Sequence, residues 1–211
     1  MVIRTYSVGQ LNANCYFLIK DEKCLIVDPG DDPHFLKTKL SDEQVRPRAM
    51  IATHGHFDHI MAVFDLQLTL RIPFIASKKD KEIIKNMKTS SKHFLGINSD
   101  LVPEIDQYIN HGKVNLFGFK FEVIETPGHT PGSISFYFKE DSSVFVGDLM
   151  FSGGGVGRYD FSYSSRSDLK DSIEKILDLP EDTIIYPGHG GITTVEKYKK
   201  DFEKLINSNF I

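Results

Sequence analysis

The sequence predicts an α+β protein in which mixed sheets are covered by helices. Two observations lead there. Short runs rich in Val, Ile, Phe and Tyr alternate with helical apolar stripes in the order β, α, β, which is the grammar of a mixed sheet carrying helices. The second half of the chain repeats that grammar, although no repeat exists at the level of sequence.

Residues 1–28 read as strands, with Cys15-Tyr16-Phe17-Leu18-Ile19 and Cys24-Leu25-Ile26-Val27 flanking a polar turn at 20–23. The second run stops at Asp28-Pro29-Gly30, a turn signal. A short helix is predicted over 33–40, and then Ala49-Met50-Ile51-Ala52-Thr53 reads as a strand buried on both faces, which delivers the chain into His54. From 59 to 70 the residues Ile60, Val63, Phe64 and Leu68 fit a helical stripe, and Pro73-Phe74-Ile75-Ala76 returns as a strand. In the second half, 114–125, 133–138 and 143–146 read as strands, succeeded by a glycine-rich loop over 153–157. A helix is predicted over 167–177 from Leu169, Ile173, Ile176 and Leu177 on one face. A last strand covers 183–186, and Thr193-Thr194-Val195-Glu196 offers a capping box to a helix whose apolar side carries Val195, Tyr198, Phe202, Leu205 and Ile206.

Composition narrows the classes of function. With 211 residues, 40% of them hydrophobic, one substantial core can form, and a single domain over 1–211 is expected. The net charge of −4 provides no positive field for a polyanion, so no nucleic-acid partner is expected. The longest apolar stretches, 24–27 and 143–146, fall far short of a membrane span, and the N-terminus has no signal-like region, so a cytoplasmic protein is expected. Cys15 and Cys24 sit inside apolar runs and read as reduced, packed thiols.

The segment His54-Gly55-His56-Phe57-Asp58-His59 places three imidazoles and a carboxylate within six residues, directly after a buried strand. Borderline metals require such a cluster from a single loop, but one loop cannot surround a metal. Three later positions supply candidates for the remainder: His129 in Thr126-Pro127-Gly128-His129-Thr130-Pro131-Gly132, Asp148 after Val146-Gly147, and His189 in Tyr186-Pro187-Gly188-His189-Gly190. Each stands at the end of a strand-like run beside a Gly or Pro that turns the backbone, and strand ends from one sheet edge converge.

These motifs, in this order, resemble those of the metallo-β-lactamase superfamily, and within it the short, single-domain branch of the glyoxalase II-like (hydroxyacylglutathione hydrolase-like) enzymes. The resemblance runs from Asn14-Cys15-Tyr16 and Asp28-Pro29-Gly30 through the turn at 127–133 to the last helix. It implies a four-layer αββα sandwich with metals at one edge of the sheets. It also implies ligand roles: His54, His56 and His129 for a first metal, Asp58, His59 and His189 for a second, and Asp148 as the bridge. Asp28 resembles the family's buried aspartate that braces the histidine loop from behind. His34, His93 and His111 match no motif position and are assigned to the surface or to local packing.

The resemblance further implies a metal-dependent hydrolase that cleaves a small-molecule thioester such as S-D-lactoylglutathione. Two divalent cations lower the pKa of a shared water to give a hydroxide nucleophile, with Asp58 orienting it and accepting its proton. Histidine and carboxylate ligands without cysteine suit zinc best, and iron or manganese would also be accommodated. Arg158, in the segment after Asp148, could hold a substrate carboxylate. Full-length glyoxalase II enzymes add a C-terminal helical domain where this chain has one predicted helix, which leaves the thiol carrier open. The runner-up reading is an iron-dependent persulfide dioxygenase of the same superfamily, with a lactonase or an RNA-processing nuclease behind it. The acyl group and the oligomeric state are not encoded in any motif.

Overall fold

The computed structural model of the chain describes residues 1–97 and 101–207; the side chains of Leu205 and Ile206, expected on the apolar face of the last helix, lie outside the described residues. The span 1–211 is made of two compact units: Met1–Asn110 with Leu116–Phe119, and His111–Asn115 with Lys120–Ile211.

The first unit is built on a six-stranded sheet whose spatial order follows the chain. Strands β1 (Val2–Val8), β2 (Ala13–Lys20) and β3 (Lys23–Val27) pair antiparallel through short turns. From β3 onward the pairing is parallel, and every parallel join needs a crossover. Helix α1 (Pro33–Asp42) makes the first of them, to β4 (Arg46–Ile51); α2 (Phe57–Ile60) and α3 (Val63–Leu70) make the second, to β5 (Phe74–Ala76). Helices α4 (Lys81–Lys85) and α5 (Met87–Leu95) precede β6 (Gln107–Tyr108). Helix α1 starts where the sequence signals it, with Pro33 in the first turn and the Asp32 carboxylate accepting from the Phe35 amide at 2.9 Å. Phe17, Ile26, Met50 and Phe74 pack with Val63 and Leu66 in this unit's core. Cys15 and Cys24 are free thiols within it, and burial pushes the pKa of both up, which keeps them protonated and inert.

The other six-stranded sheet is made of β7 (Gly112–Leu116), β8 (Phe119–Glu125), β9 (Ile134–Phe138), β10 (Ser143–Gly147), β13 (Ile184–Pro187) and β14 (Thr193–Thr194), all but Leu116 and Phe119 in the second unit. A two-stranded ribbon, β11 (Met150–Phe151) with β12 (Gly155–Val156), occupies the predicted glycine-rich loop. Helix α6 (Arg166–Leu177) is the crossover between the parallel pair β10 and β13, and α7 (Val195–Asn207) comes after β14. As its stripe predicts, α6 buries Leu169, Ile173 and Ile176, which meet Val144, Val146 and Tyr198.

Four expectations are revised. The helix predicted over 59–70 is two helices, because the Ala62 amide donates to the Pro29 carbonyl and α3 restarts in a new phase. Ile60, Val63 and Leu66 are therefore buried, whereas Leu68 is 64% exposed. The strand predicted over 114–125 is two strands, reversed at Phe117-Gly118, both at positive φ. The cap of α7 is Thr194, whose hydroxyl accepts from the Lys197 amide at 3.2 Å, since Thr193 is committed to β14. The lysine-rich stretch over 78–95, for which no element was expected, holds α4 and α5.

His34, His93 and His111 are exposed, as expected. The revised phase of α3 is checked by urea denaturation: Leu66→Ala is expected to cost roughly 2–5 kcal/mol, and Leu68→Ala no more than about 0.5 kcal/mol.

Candidate metal centre

In the first unit the site begins at the carboxyl ends of β3 and β4. The two strands run parallel with Val27 beside Ile51, and the Asp28 amide donates to the Ile51 carbonyl at 2.9 Å, so both chains leave the sheet at the same edge. Asp28 is 1% exposed and its carboxylate accepts three hydrogen bonds: from the Thr53 amide at 2.7 Å, the Thr53 hydroxyl at 2.7 Å and His59 Nδ1 at 3.1 Å. Because the single O–H of Thr53 donates to Asp28, the hydroxyl oxygen accepts from His54 Nδ1 at 3.1 Å. Both buried imidazoles thus carry their proton on Nδ1 and present the Nε2 lone pair, the arrangement a metal ligand requires. Donor atoms of Asp28, His54 and His59 lie within 4.8 Å of one another, a spacing that would also suit a metal. The Asp28 oxygens are already taken by three donors, so we assign Asp28 to orienting the rings.

Helix α2 winds Asp58 and His59 onto consecutive positions, with Asp58 Oδ2 3.6 Å from His59 Nε2. The His54 ring lies 4.8 Å from that of His56 and 4.3 Å from that of His59, centroid to centroid. The loop backbone is fixed from two directions. Asp80, buried, accepts from the Gly55 amide at 2.8 Å. Gly30 passes so close that a Cβ there would fall 2.1 Å from the Asp58 carbonyl oxygen.

The second unit repeats the device. Strands β10 and β13 run parallel with Gly147 beside Pro187, and the Gly188 amide donates to the Gly147 carbonyl at 2.7 Å. Asp148 and His189 therefore leave the same edge, with 3.6 Å between Asp148 Oδ2 and His189 Nε2. His129 joins them from the turn between β8 and β9, its Nε2 also 3.6 Å from Asp148 Oδ2. Its Nδ1 donates to the Arg158 carbonyl at 2.8 Å, which again directs Nε2 toward the carboxylate. A cleft of about 520 Å³ opens here, lined by His129, Asp148, Phe151, Val156, Arg158 and His189.

The 3.6 Å separations test whether these residues fit a metal. They are too long for a hydrogen bond, yet two ligand atoms at zinc-type bond lengths on one tetrahedral ion stand about 3.4 Å apart. Nitrogen and oxygen donors held at that spacing, with the outward ring nitrogens of His59 and His129 already bonded, suit divalent cations. Arg158, expected to hold a substrate carboxylate, has its guanidinium engaged within the chain by two bonds to Asp160, at 2.9 and 2.8 Å.

Three contributors carry no motif. Thr53 reads in the sequence only as the last strand residue, although a hydroxyl directly before a histidine at a strand end is a signal. Asp80 is a single carboxylate among lysines. The Arg158 contribution is a backbone carbonyl, to which residue type gives no clue.

Fold and donor sets together define a metal-dependent protein built on two mixed sheets. The sequence matches the family model of the metallo-beta-lactamase superfamily over residues 8–189. It is 37% identical over 194 residues to the probable metallo-hydrolase YqgX of Bacillus subtilis, covering 91% of this chain and 92% of that protein. It is 33% identical over 212 residues to the hydroxyacylglutathione hydrolase GloC of Haemophilus influenzae, covering 99% of each. The crystal structure of TTHA1623 in a di-iron-bound form matches with a TM-score of 0.88 and 33% identity, over 94% of this chain and 98% of that one. The chain belongs to the metallo-beta-lactamase superfamily, as a metallo-hydrolase with the superfamily's αββα sandwich fold.

Asp28 supports both histidines of its unit, so its loss is expected to be felt twice. Asp28→Ala should lower the unfolding free energy by roughly 3 kcal/mol in urea denaturation, because buried donors lose their acceptor, and purified protein should retain less metal than wild type by elemental analysis.

Proposed function

We propose that the chain is a binuclear thioester hydrolase of the hydroxyacylglutathione hydrolase-like kind, acting on a small-molecule thioester such as S-D-lactoylglutathione. The observation that carries this reading is the pair of donor sets, one per unit, each with a carboxylate 3.6 Å from imidazole Nε2 atoms. Following the family's pattern, His54, His56 and His129 would hold one divalent cation and Asp58, His59 and His189 the other, with Asp148 as a ligand shared by both. Zinc or iron fits the donors; the di-iron form of TTHA1623 supports the second and the absence of sulfur ligands is compatible with both. When bound, such a pair of cations supplies Lewis acidity, lowering the pKa of water and polarising a carbonyl.

The chain's own residues supply the rest. Asp28 and Thr53 hold the imidazoles as neutral ligands, and the Asp58 carboxylate, 15% exposed, is placed to orient a water and accept its proton. The leaving group of a thioester is a thiolate, which departs without a proton donor, in keeping with a site of imidazoles and carboxylates. Phe151 and Val156 give the cleft an apolar wall. The likeness to GloC over 99% of both chains supports the thioester reading, and the net charge of −4 favours a small molecule over a nucleic acid as partner. Among the described residues no helix is long and apolar enough to cross a membrane.

Loss of the thioester absorbance of S-D-lactoylglutathione, monitored with zinc- and iron-loaded protein, tests the reading. Turnover is expected to vanish with a chelator and return with metal, and Asp148→Asn should lower kcat/KM by about 100-fold or more. Unchanged activity in Asp148→Asn would sink the binuclear mechanism, and no turnover from fully loaded protein would remove this thioester as substrate.

A further inference from the structure

The loop after the β11–β12 ribbon closes on the His129 turn from several sides. His129 Nδ1 donates to the Arg158 carbonyl at 2.8 Å, the Ser164 hydroxyl donates to the His129 carbonyl at 2.8 Å, and the Ser165 amide donates to the Gly128 carbonyl at 2.9 Å. The Phe161 ring meets the imidazole edge-on, with centroids 5.9 Å apart. Arg158 draws this loop together. Its Nε and Nη2 make parallel bonds to the two Asp160 oxygens, and its guanidinium lies 4.4 Å from the centroid of Phe161, which in turn stacks on Tyr163 at 5.4 Å. The residue whose carbonyl fixes His129 is thus itself held by its own side chain.

Exposed ion pairs usually contribute little, and Arg158 and Asp160 are 57% and 63% exposed. Geometry changes that weighing here. A two-bond fork fixes orientation as well as distance, and stacking on an aromatic face constrains the same plane again. The entrance to the loop also has no slack: a Cβ at Gly157 would fall 1.7 Å from the Asp148 carbonyl oxygen. With one end pressed against the strand edge that carries Asp148, the orientation of the Arg158 peptide depends on the fork at the other end.

We infer that Arg158 is a positioning residue for His129, acting through Asp160 and Phe161, and not a contact to substrate. That role rests on the reading of His129 as a metal ligand. It makes the Arg-x-Asp-Phe sequence of 158–161 part of the metal site although none of those side chains donates to it. A lysine cannot take over the role, since an ammonium is a point charge without the planar fork.

The test uses the full-length protein loaded with Co(II), whose visible absorption reports ligand geometry, and measures metal loss to a chelator. Arg158→Gln and Asp160→Asn are each expected to alter the Co(II) spectrum and speed metal loss by about 10-fold. The double variant should be no worse than either single change, Arg158→Lys should fail to restore the wild-type spectrum, and KM for the thioester should stay within about twofold while kcat falls. A raised KM in Arg158→Gln with an unchanged spectrum, and a harmless Asp160→Asn, would overturn the proposal and make Arg158 a substrate contact. His129→Ala separates the two levels: full metal retention there removes the ligand assignment, whereas metal loss there with wild-type behaviour in both loop variants removes only the clamp.

Discussion

The buried Asp28 carboxylate, accepting from the Thr53 amide, the Thr53 hydroxyl and the His59 ring, is the constraint around which the histidine loop is built. A carboxylate taken out of water is costly unless its lone pairs are satisfied. Here the satisfying groups are the residues that must be oriented. With the Thr53 hydroxyl donating its hydrogen bond to Asp28, it can only accept from His54, and a single acidic side chain sets the tautomer of two imidazoles. Charge burial, which alone opposes folding, is converted into a unique arrangement of the loop.

The same topological element serves both units. In each, two parallel strands end side by side, an aspartate succeeds the first and a histidine succeeds the second: Asp28 after β3 with His54 beyond β4, and Asp148 after β10 with His189 beyond β13. Parallel pairing explains this, because only parallel neighbours release their chains at the same edge, and it is also why each pair needs a helical crossover. The two aspartates then diverge. Asp28 is nearly inaccessible and meets an outward ring nitrogen at 3.1 Å, which makes it a brace; Asp148 is 13% exposed and meets two Nε2 atoms at 3.6 Å, which leaves it a ligand's geometry.

Much of the fold is legible in the residues because its signals are local. The turn at Asp28-Pro29-Gly30, the stripe of α6 and the glycines before Asp148 and His189 each act within a few residues. The departures are of phase and of partner. The break between α2 and α3 comes from the Pro29 carbonyl, more than thirty residues from Ala62, and no periodicity in 59–70 could reveal it. The reversal at Phe117-Gly118 is hidden by apolar neighbours that continue the strand pattern on both sides.

For the site, residue types and their spacing are enough to name the side chains that could be ligands. Metal chemistry demands particular donors, and a loop that binds metal must present them close together, so His54, His56, Asp58 and His59 announce themselves, and His129, Asp148 and His189 stand out at strand ends with sharp turns. The orientation of those side chains came from the folded chain alone. Thr53 serving Asp28, Asp80 holding the Gly55 amide, and the Arg158 carbonyl holding His129 are contacts between groups 25 to 29 residues apart in the chain. Such contacts depend on strand register and on backbone atoms common to all residues, and for that reason leave no trace in the pattern of residue types.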